Sequence, residues 1–326
     1  MKILVTGGAG YIGSVVTERL LARGHTVVAL DNLARGHRDA VSAAVELVEG
    51  DLRDRDWVAR VVADVRPDAV AHLAAEALVS ESATAPAKFF DVNVTGGQNL
   101  LEAMRRAEVR RLVFSSTAAV YGEPHTLPIT EDARPQPVNA YGASKWAFEQ
   151  MLPWYASAYG LRYISLRYFN ACGATADRGE YHVPETHLIA ILLEVALGLR
   201  SEIQLFGDDY DTPDGTCIRD YVHVSDIADA HIQALAGIDH IDSAVFNLGN
   251  GAGFSNLEVI EATRRVTGHP IPSTVVARRK GDPARLVASA AYAKDVLGWM
   301  PHFDALPAML ETAWAWRKGR PQPYGR

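Results

Sequence analysis

A glycine-rich turn at residues 7–13 constrains the fold of this chain more than any other stretch. The segment before it, 2–6, is short, apolar and β-branched, which is typical of a buried parallel strand. A helical pattern follows the turn, and a second strand-like segment, 26–30, then leads into Asp31. This order of strand, turn, helix and strand predicts a βαβ unit, the building block of a doubly wound parallel sheet.

The same turn has the composition of a dinucleotide-binding site. Gly7, Gly10 and Gly13 let the backbone approach a pyrophosphate, and the next helix offers unpaired N–H groups and the positive end of its dipole. Asp31 lies where a carboxylate accepts hydrogen bonds from the adenosine ribose. Because that carboxylate would repel a 2′-phosphate, NAD is favoured over NADP, and Arg35 nearby weakens the preference slightly.

The strand and helix alternation continues beyond this unit. Further strands are predicted at 45–50, 68–73, 111–117 and 161–167, and a long helix at 86–107. The chain is therefore expected to be an α/β protein with a doubly wound, Rossmann-type parallel sheet.

A tyrosine and a lysine four residues apart are the strongest candidates for chemistry. Tyr141 and Lys145 would share one face of a helix, a turn apart. An ammonium beside a phenol favours the phenolate, so such a pair can remove a proton from a substrate hydroxyl near neutral pH. Hydroxyls are also concentrated at 115–117, at the C-terminal end of a predicted strand, where ligands bind in doubly wound sheets.

The sequence changes character after Arg167, where loop-like stretches and short strands and helices replace the regular alternation. We expect a nucleotide-binding domain at 1–167 and a smaller, mixed α/β domain at 168–326 that covers the crevice. The chain is expected to return to the first domain around 217–250.

Polar residues mark predicted helix starts. Ser225-Asp226 and Ser255 are predicted to cap the helices that follow them. Asp51 follows the third strand, where it would cap a helix or reach the adenine of a dinucleotide.

Composition excludes several classes of protein. The 326 residues are 48% hydrophobic and 22% charged, as in an ordinary globular protein, and the net charge of −7 argues against a general nucleic-acid binder. Two cysteines give neither a disulfide framework nor a zinc cluster. No apolar run is long enough to span a membrane and the first strand is too short for a signal peptide, so we expect a cytoplasmic protein without membrane association.

The histidines show no convincing metal-ligand spacing, so no metal site is expected. Packing or loop roles are assigned to most of the histidines and tryptophans that stand out, namely His182, His223, His231, Trp299, Trp314 and Trp316.

Several motifs are together similar to one known family, and they extend over nearly the whole chain. They are the stretches 6–14, 31–33, 114–122, 141–145, 167–170, 214–221, 281–283 and 297–299. With these motifs the chain resembles the UDP-glucose 4-epimerase family of the extended short-chain dehydrogenase/reductase superfamily. The N-terminal motifs mark only the superfamily, whereas the Asp-Gly-Thr-x-x-Arg-Asp-Tyr stretch at 214–221 is specific to sugar-nucleotide epimerases and close relatives.

The resemblance implies roles for the matching positions. The catalytic set would be Thr117, Tyr141 and Lys145. The residues implied to bind NAD are Gly7, Gly10, Tyr11, Ile12, Gly13, Asp31, Asn32, Asp51, Leu52, Leu73, Ala74, Ala75, Asn93, Ser115, Tyr141, Lys145 and Tyr168. The residues implied to bind a UDP-sugar in the C-terminal domain are Thr117, Asn170, His187, Leu188, Gln204, Leu205, Phe206, Arg219, Tyr221, Arg279, Asp282 and Leu286.

The implied reaction is interconversion of UDP-glucose and UDP-galactose by a cytoplasmic homodimer, whose long helices, 86–107 and 139–159, would form the interface. Tyr141 would take the proton of the sugar 4-hydroxyl, NAD would accept the hydride from carbon 4 and return it to the other face, and Thr117 would orient the oxygen. Lys145 and the cationic nicotinamide would lower the pKa of Tyr141.

Three positions depart from the family or limit what it implies. Ala77 replaces a lysine that often contacts an NAD phosphate, and His187 stands where many relatives have asparagine. Leu286 stands at a gate beside the sugar, where its intermediate size leaves N-acetylated or pentose UDP-sugars open as substrates.

Two other functions differ in class. A 4,6-dehydratase would need an acid pair after the hydroxyl residue, but Ala118 and Ala119 follow Thr117. A non-catalytic NAD-binding regulator is the other, and the intact catalytic set speaks against it.

Overall fold

The computed structural model describes residues 1–124, 126–241, 243–279, 282–320, 322 and 324. Gly281, the first residue of the motif at 281–283, lies outside the described residues. The strands are β1 Lys2–Thr6, β2 Thr26–Asp31, β3 Glu46–Glu49, β4 Ala69–His72, β5 Arg111–Thr117, β6 Arg162–Tyr168, β7 Asn170–Cys172, β8 Ile203–Phe206, β9 Ile218–Arg219, β10 Tyr221–His223, β11 Ala244–Leu248, β12 Phe254–Ser255, β13 Ser273–Val276 and β14 Arg285–Leu286.

The α-helices are α1 Tyr11–Ala22, α2 Arg55–Val65, α3 Val79–Ser82, α4 Pro86–Phe90, α5 Gly97–Arg106, α6 Ala140–Tyr159, α7 Leu188–Ala196, α8 Val224–Gly237, α9 Asn256–Thr267 and α10 Leu306–Lys318. A π-helical segment, Asp91–Gly96, joins α4 to α5, and a second one spans Ala293–Leu297.

Seven parallel strands form the central sheet, in the order β11-β6-β5-β4-β1-β2-β3. The predicted Rossmann-type sheet is therefore confirmed. The order reverses between β1 and β4, which pair with Thr6 opposite His72. In sheets of this kind a crevice opens beyond the C-terminal ends of the strands at such a switch point.

Apolar side chains cover both faces of this sheet. One core lies beneath α1 and α8 and includes Trp299, and the other lies beneath α2, α5 and α6. A third core is separate from the sheet and is formed mainly by α7, α9 and α10. Burial on both faces explains why the strands have continuous apolar runs without alternation.

The C-terminal part contains three small sheets, and the chain passes between it and the central sheet more than once. β7 pairs with β10, β8 pairs with β13, and β9 lies between β12 and β14. β11 then joins the edge of the central sheet beside β6, although the chain has already formed part of the C-terminal region.

Two predicted helix starts are wrong in detail and one is confirmed. α8 begins at Val224 and is capped by His223, whose ring accepts the Ser225 N–H at 3.1 Å. The Asp226 carboxylate does not cap the helix, because it accepts the backbone N–H groups of His302 and Phe303. Ser255 caps α9 in a complete capping box with Glu258.

Asp51 does not cap a helix. The cap of α2 is Asp54, whose side chain accepts the Trp57 N–H at 3.0 Å, because the Asp51 carboxylate is bound to Arg53.

The predicted packing roles of several residues are confirmed. Trp299 is buried and donates its indole N–H to the Asp226 carbonyl at 2.8 Å. His231 is fully buried, and His223 stacks on Phe303. Both cysteines are free and buried. Within the described residues, no helix has the length and apolarity needed to cross a membrane.

Candidate active site

A cleft of about 1620 Å³ lies between the C-terminal edge of the central sheet and the C-terminal part of the chain. All of the predicted site residues line it except Asn93 and Ser115. We call its two sides the sheet wall, formed by the ends of β1, β2, β4 and β5 with the start of α1, and the C-terminal wall, formed by residues 179–188, β8, β9 and β14. The volume exceeds that of a typical single-ligand pocket and suits two ligands.

Close packing of the turn requires glycine at two positions on the sheet wall. Gly7 has a φ of +73°, and a Cβ there would lie 2.6 Å from the backbone nitrogen of Ala74. A Cβ on Gly13 would overlap the carbonyl oxygen of Gly7. The first residue before α1, Gly10, provides no side-chain cap, so the helix N-terminus faces the cleft without a competing side chain. These features fit the pyrophosphate of a dinucleotide.

Asp31 is held by the turn it faces. Its Oδ2 accepts the Ala9 N–H at 3.0 Å and its Oδ1 accepts the Leu33 N–H at 2.9 Å. Burial raises the pKa of Asp31, and the two backbone hydrogen bonds oppose that rise. The carboxylate is thus fixed at the end of β2, where it can still accept from a ribose through its remaining lone pairs.

Polar contacts fix the adenine end of the sheet wall. Asn32 donates to Asp51 Oδ2 at 2.9 Å. Arg35 donates to Glu81 at 2.7 Å and to the Val183 carbonyl at 3.0 Å. The Arg35 guanidinium is thus bound to Glu81 and Val183 in the protein alone.

Asn93 and Ser115 lie behind the wall rather than on it. The Asn93 side chain accepts the Glu76 N–H at 2.8 Å and donates to the Glu76 carbonyl at 3.0 Å and to Ser144 at 2.9 Å. It stands in the π-helical turn between α4 and α5, a distortion that is frequent at functional sites. Its amide therefore positions other residues, because its hydrogen-bonding groups are already used. The Ser115 hydroxyl likewise has a partner behind the wall, because its Oγ lies 3.1 Å from His231 Nε2.

Tyr141 and Thr117 meet at the centre of the cleft. Tyr141 is in the first turn of α6, whose cap is Asn139, and Thr117 ends β5. Burial raises the pKa of Tyr141 above its usual value of 10, and the nearby Thr117 side chain partly opposes this rise. The expected lowering by Lys145 is wrong for the protein alone, because the Lys145 ammonium binds elsewhere.

Lys145 is a buried cation with a neutral partner. It is 3% exposed, donates to the Ser115 carbonyl at 2.8 Å and lies 4.9 Å from the centre of the Phe114 ring. Burial lowers its pKa to about 7, although Glu149 opposes this. Glu149 is bound to Arg167, at 3.0 Å from Arg167 Nε, so it does not neutralise Lys145.

The C-terminal wall carries paired charges. Arg219 on β9 forms an ion pair with Asp282, with its side chain 12% exposed. Its sequence neighbour Asp220 is fully buried and accepts three backbone N–H groups, those of Asn250, Gly251 and Ala288. The possible ion pair between Arg219 and Asp220 is therefore excluded.

An arginine and an aromatic ring define the far end of this wall. Arg279 stacks on Phe206 of β8, with the guanidinium carbon 3.8 Å from the ring centre. Leu286 on β14 pairs in register with Arg219 and lines the cleft from the same side. The wall thus offers guanidinium groups for phosphate and a flat surface for a base, with an apolar residue between them and the sheet.

Four side chains before α7 gather in a group that the sequence analysis missed in part. His187 was predicted to bind substrate and His182 was assigned a packing or loop role, but Glu180 and Glu185 were not singled out. His187 Nδ1 lies 2.8 Å from Glu185 Oε1. Burial lowers the pKa of His187, but Glu180 and Glu185 outweigh it and raise the pKa to about 9. The alternation of His and Glu from 180 to 187 was the available signal.

α7 begins at Leu188, directly after the four side chains of this group. The Glu185 carboxylate accepts the N–H groups of Thr186 and His187, both at 2.8 Å, and this turn delays the helix. The N-terminus of α7 consequently faces the cleft.

Known proteins of similar sequence and structure belong to the family that the sequence motifs indicated. The sequence model of the NAD dependent epimerase/dehydratase family matches residues 3–249. UDP-glucose 4-epimerase of Lacticaseibacillus casei is 49% identical over 328 residues, covering 100% of this chain and 99% of that protein. A crystal structure of a UDP-glucose 4-epimerase superposes with a TM-score of 0.97 at 47% identity, covering 100% of both chains. The Bifidobacterium longum enzyme in complex with NAD⁺ and UDP gives 0.94 at 37%, covering 99% and 100%.

Proposed function

Because the chain belongs to the NAD dependent epimerase/dehydratase family and groups there with the UDP-glucose 4-epimerases, we propose that it interconverts UDP-glucose and UDP-galactose through a transient 4-keto sugar. It is an NAD-dependent isomerase. The observation that carries the proposal is the proximity of Tyr141 and Thr117, which both line the cleft between a dinucleotide cradle and a wall with guanidinium groups.

Tyr141 is proposed as the acid and base of the reaction. It removes the proton of the sugar 4-hydroxyl and returns it after the sugar has turned, while Thr117 hydrogen-bonds the same oxygen and orients it. When bound, NAD accepts the hydride of carbon 4 and gives it back, and its cationic ring favours the phenolate. This influence is needed because burial alone raises the pKa of Tyr141.

Lys145 is proposed to hold the nicotinamide end of the cofactor. Its ammonium is already directed by the Ser115 carbonyl and is buried beside Tyr141 in the first turns of α6. A ribose hydroxyl would replace part of the solvation that burial has removed. The sheet wall would bind the rest of NAD, with Gly7 to Gly13 at the pyrophosphate and Asp31 at the adenosine ribose.

The C-terminal wall is proposed to bind the UDP group. Arg219 and Arg279 would contact the diphosphate, because guanidinium groups make paired, charge-assisted hydrogen bonds to phosphate. β8 would present its backbone to the uracil. The Arg219–Asp282 ion pair must open or share its guanidinium when substrate binds. We accordingly propose an NAD-binding domain at 1–167, with a return at 217–250, and a UDP-sugar-binding domain at 168–326.

The sugar preference is the open part of the proposal. Leu286 faces the cleft and would limit the space near the hexose. Other UDP-sugars are therefore alternative substrates. A dehydratase is disfavoured, since Ala118 and Ala119 form a short helical turn after Thr117 and provide neither acid nor base.

A comparison of two substrates tests this function. The protein is incubated, without added NAD, with UDP-galactose and in parallel with UDP-N-acetylgalactosamine, and each epimer is quantified by chromatography. We expect UDP-galactose to equilibrate with UDP-glucose. The N-acetylated sugar is expected to react more slowly or not at all. A faster reaction of the N-acetylated sugar would contradict the assigned substrate, and no turnover of either, with or without added NAD, would support a non-catalytic NAD-binding protein.

A cytoplasmic homodimer is also proposed. α4 and α6 expose large apolar side chains, with Phe90 41% and Trp154 76% exposed. Burial of these side chains between two copies would remove apolar surface from water. Light scattering would measure the mass, and Trp154→Glu is expected to yield monomer; a parent protein of monomer mass would contradict the proposal.

A further inference from the structure

Four potential metal ligands converge in the segment before α7. Glu180, His182, Glu185 and His187 each offer one ligand atom, and these atoms all lie within 4.8 Å of one another. The group lies at the border of the cleft, apart from Tyr141, and the proposed epimerisation does not use it as a group.

The contacts in this group are shared rather than divided into pairs. Glu180 Oε1 contacts His182 Nδ1 and also lies 3.7 Å from His187 Nδ1. His187 Nδ1 in turn lies 2.8 Å from Glu185 Oε1. Two independent ion pairs would need only one partner for each imidazole. Here one carboxylate contacts both imidazoles, and His187 contacts both carboxylates.

The spacing of the donor atoms suits a small tetrahedral ion. Nitrogen and oxygen ligands lie about 2.0–2.2 Å from zinc, so two ligands of one tetrahedral ion are about 3.3–3.6 Å apart. The distances of 2.8 and 3.7 Å between donor atoms bracket that range. Small side-chain rotations would therefore complete the coordination.

The backbone that carries the ligands is fixed from outside. His37 hydrogen-bonds the Tyr181 carbonyl at 2.9 Å, and Arg35 donates to the Val183 carbonyl at 3.0 Å. The Tyr181 ring packs against Arg317, with the guanidinium carbon 4.9 Å from the ring centre. A segment held in this way loses little conformational entropy when its side chains bind an ion.

The two carboxylates are also withdrawn from solvent. The Glu185 side chain is 3% exposed and that of Glu180 is 14% exposed. Buried carboxylates are found paired or bound to metals, because an isolated charge loses its hydration. A divalent cation would neutralise both at once and leave the imidazoles neutral.

We propose that Glu180, His182, Glu185 and His187 form a structural zinc site that fixes the C-terminal wall of the cleft. Two imidazoles and two carboxylates select a zinc-like transition metal, because Mg²⁺ and Ca²⁺ prefer oxygen ligands alone. Four protein ligands make the site closed and structural. His187 immediately precedes α7, so the ion would tie the start of that helix to the segment 180–185, and His187 shapes the substrate wall through the metal.

Metal content tests the proposal without reference to turnover. Tag-free protein with its NAD is dialysed against a chelator, then against buffer containing micromolar Zn²⁺, and bound metal is measured by mass spectrometry. We expect one zinc per chain. Parallel dialyses with Mg²⁺ and Ca²⁺ are expected to leave no stoichiometric metal. Fewer than 0.2 zinc per chain, or equal retention of Mg²⁺, would overturn the assignment.

Variants distinguish this group from ordinary surface binding. His182→Gln and Glu180→Gln are each expected to lose at least 80% of the bound zinc, whereas His240→Gln, at an exposed position, keeps it. Retained NAD and an unchanged circular dichroism spectrum show that the variants are folded. Zinc bound equally by both cluster variants would contradict the site.

Cobalt gives a second, spectroscopic measurement. Co²⁺ in a tetrahedral site of the parent protein is expected to give intense visible absorption that His182→Gln lacks. Only the weak absorption of octahedral cobalt in the parent would overturn the proposed geometry.

Discussion

The sheet wall presents backbone groups and small side chains to the cleft, whereas the C-terminal wall presents long charged side chains. Gly7 and Gly13 pack so closely against neighbouring backbone that a Cβ would not fit, and Asp31 is held there by two backbone N–H groups. On the opposite wall, Arg219 binds Asp282 and Arg279 stacks on Phe206. A cofactor that stays bound suits the first wall, and a substrate that leaves in each cycle suits the second.

The two walls also differ in the partners of their cationic side chains. Lys145 is buried on the sheet wall with a carbonyl as its partner, and burial lowers its pKa to about 7. Arg219 has a carboxylate partner before any ligand arrives. We therefore expect the sheet wall to gain stability when NAD binds, and the C-terminal wall to exchange one partner for another.

The largest effect is expected where the walls meet. Tyr141→Phe removes the acid and base but keeps the ring, so kcat should fall by about 10²–10⁴-fold. Epimerisation of UDP-galactose and the NAD content of the protein are both measured. Tyr155→Phe, which loses only a hydrogen bond to Glu102 on the outer helices, is the control and should keep kcat. Near-normal turnover of Tyr141→Phe would show that the base lies elsewhere.

A smaller effect is expected on the C-terminal wall. Arg219→Met should raise KM by about 10- to 150-fold, because hydrogen bonds to charged groups contribute roughly 1.5–3 kcal/mol. NAD content should stay at the parent level. Arg264→Met, whose side chain pairs with Glu261 and does not line the cleft, is the matched control. Loss of NAD from Arg219→Met would remove the distinction between the two walls.

A substitution on the sheet wall should weaken NAD binding and leave the KM for substrate unchanged. Asp31→Asn exchanges a charged acceptor for a neutral amide, and we expect NAD to bind about tenfold more weakly, since charge-assisted hydrogen bonds are about twice as strong as neutral ones. The KM for UDP-galactose at saturating NAD should stay unchanged. Titration of NAD-free protein measures the affinity, with the exposed Asp64→Asn as control. An unchanged NAD affinity would leave Asp31 with a role only in the turn.

The smallest effect is expected in the pH dependence of stability, through Lys145. The unfolded chain protonates Lys145 up to about pH 10.5 and the folded, NAD-free chain only up to about 7, so the unfolded state binds more protons between these values. The stability of the parent should therefore rise with pH in this window relative to that of Lys145→Met. Melting temperatures at pH 7 to 10 measure it, with the exposed Lys318→Met as control. A difference from the parent that does not change with pH would argue against the lowered pKa.

Most of the sheet wall could be predicted because its signals are local. Strand, turn and acid follow one another within 31 residues, and the parallel register then brings strand ends together. The side-chain partners on this wall that the sequence did not show depend on contacts between distant residues. The amide of Asn93 is used by Glu76 and Ser144, and Arg35 is directed to Glu81 and Val183, none of which is visible in a linear pattern.

The C-terminal wall was predictable in residue type but not in partnership. β9 and β14 have only two residues each, so no periodicity marks them. The partner of Arg219 could not be read from adjacency, because Asp220 is buried and Asp282 is 63 residues away. The group at 180–187 was missed for a related reason, since its ligands converge through a loop and lack the regular spacing of a helix.

The late return of the chain to the central sheet has a consequence for synthesis. β6 ends at Tyr168, but its outer neighbour β11 is complete only at Leu248. A ribosome needs about 4–16 s to add the roughly 80 residues between them, so the apolar edge of β6 stays open for that time. An open edge can pair with another nascent chain. A polypeptide that stops before Ala244 would keep this edge permanently and should aggregate.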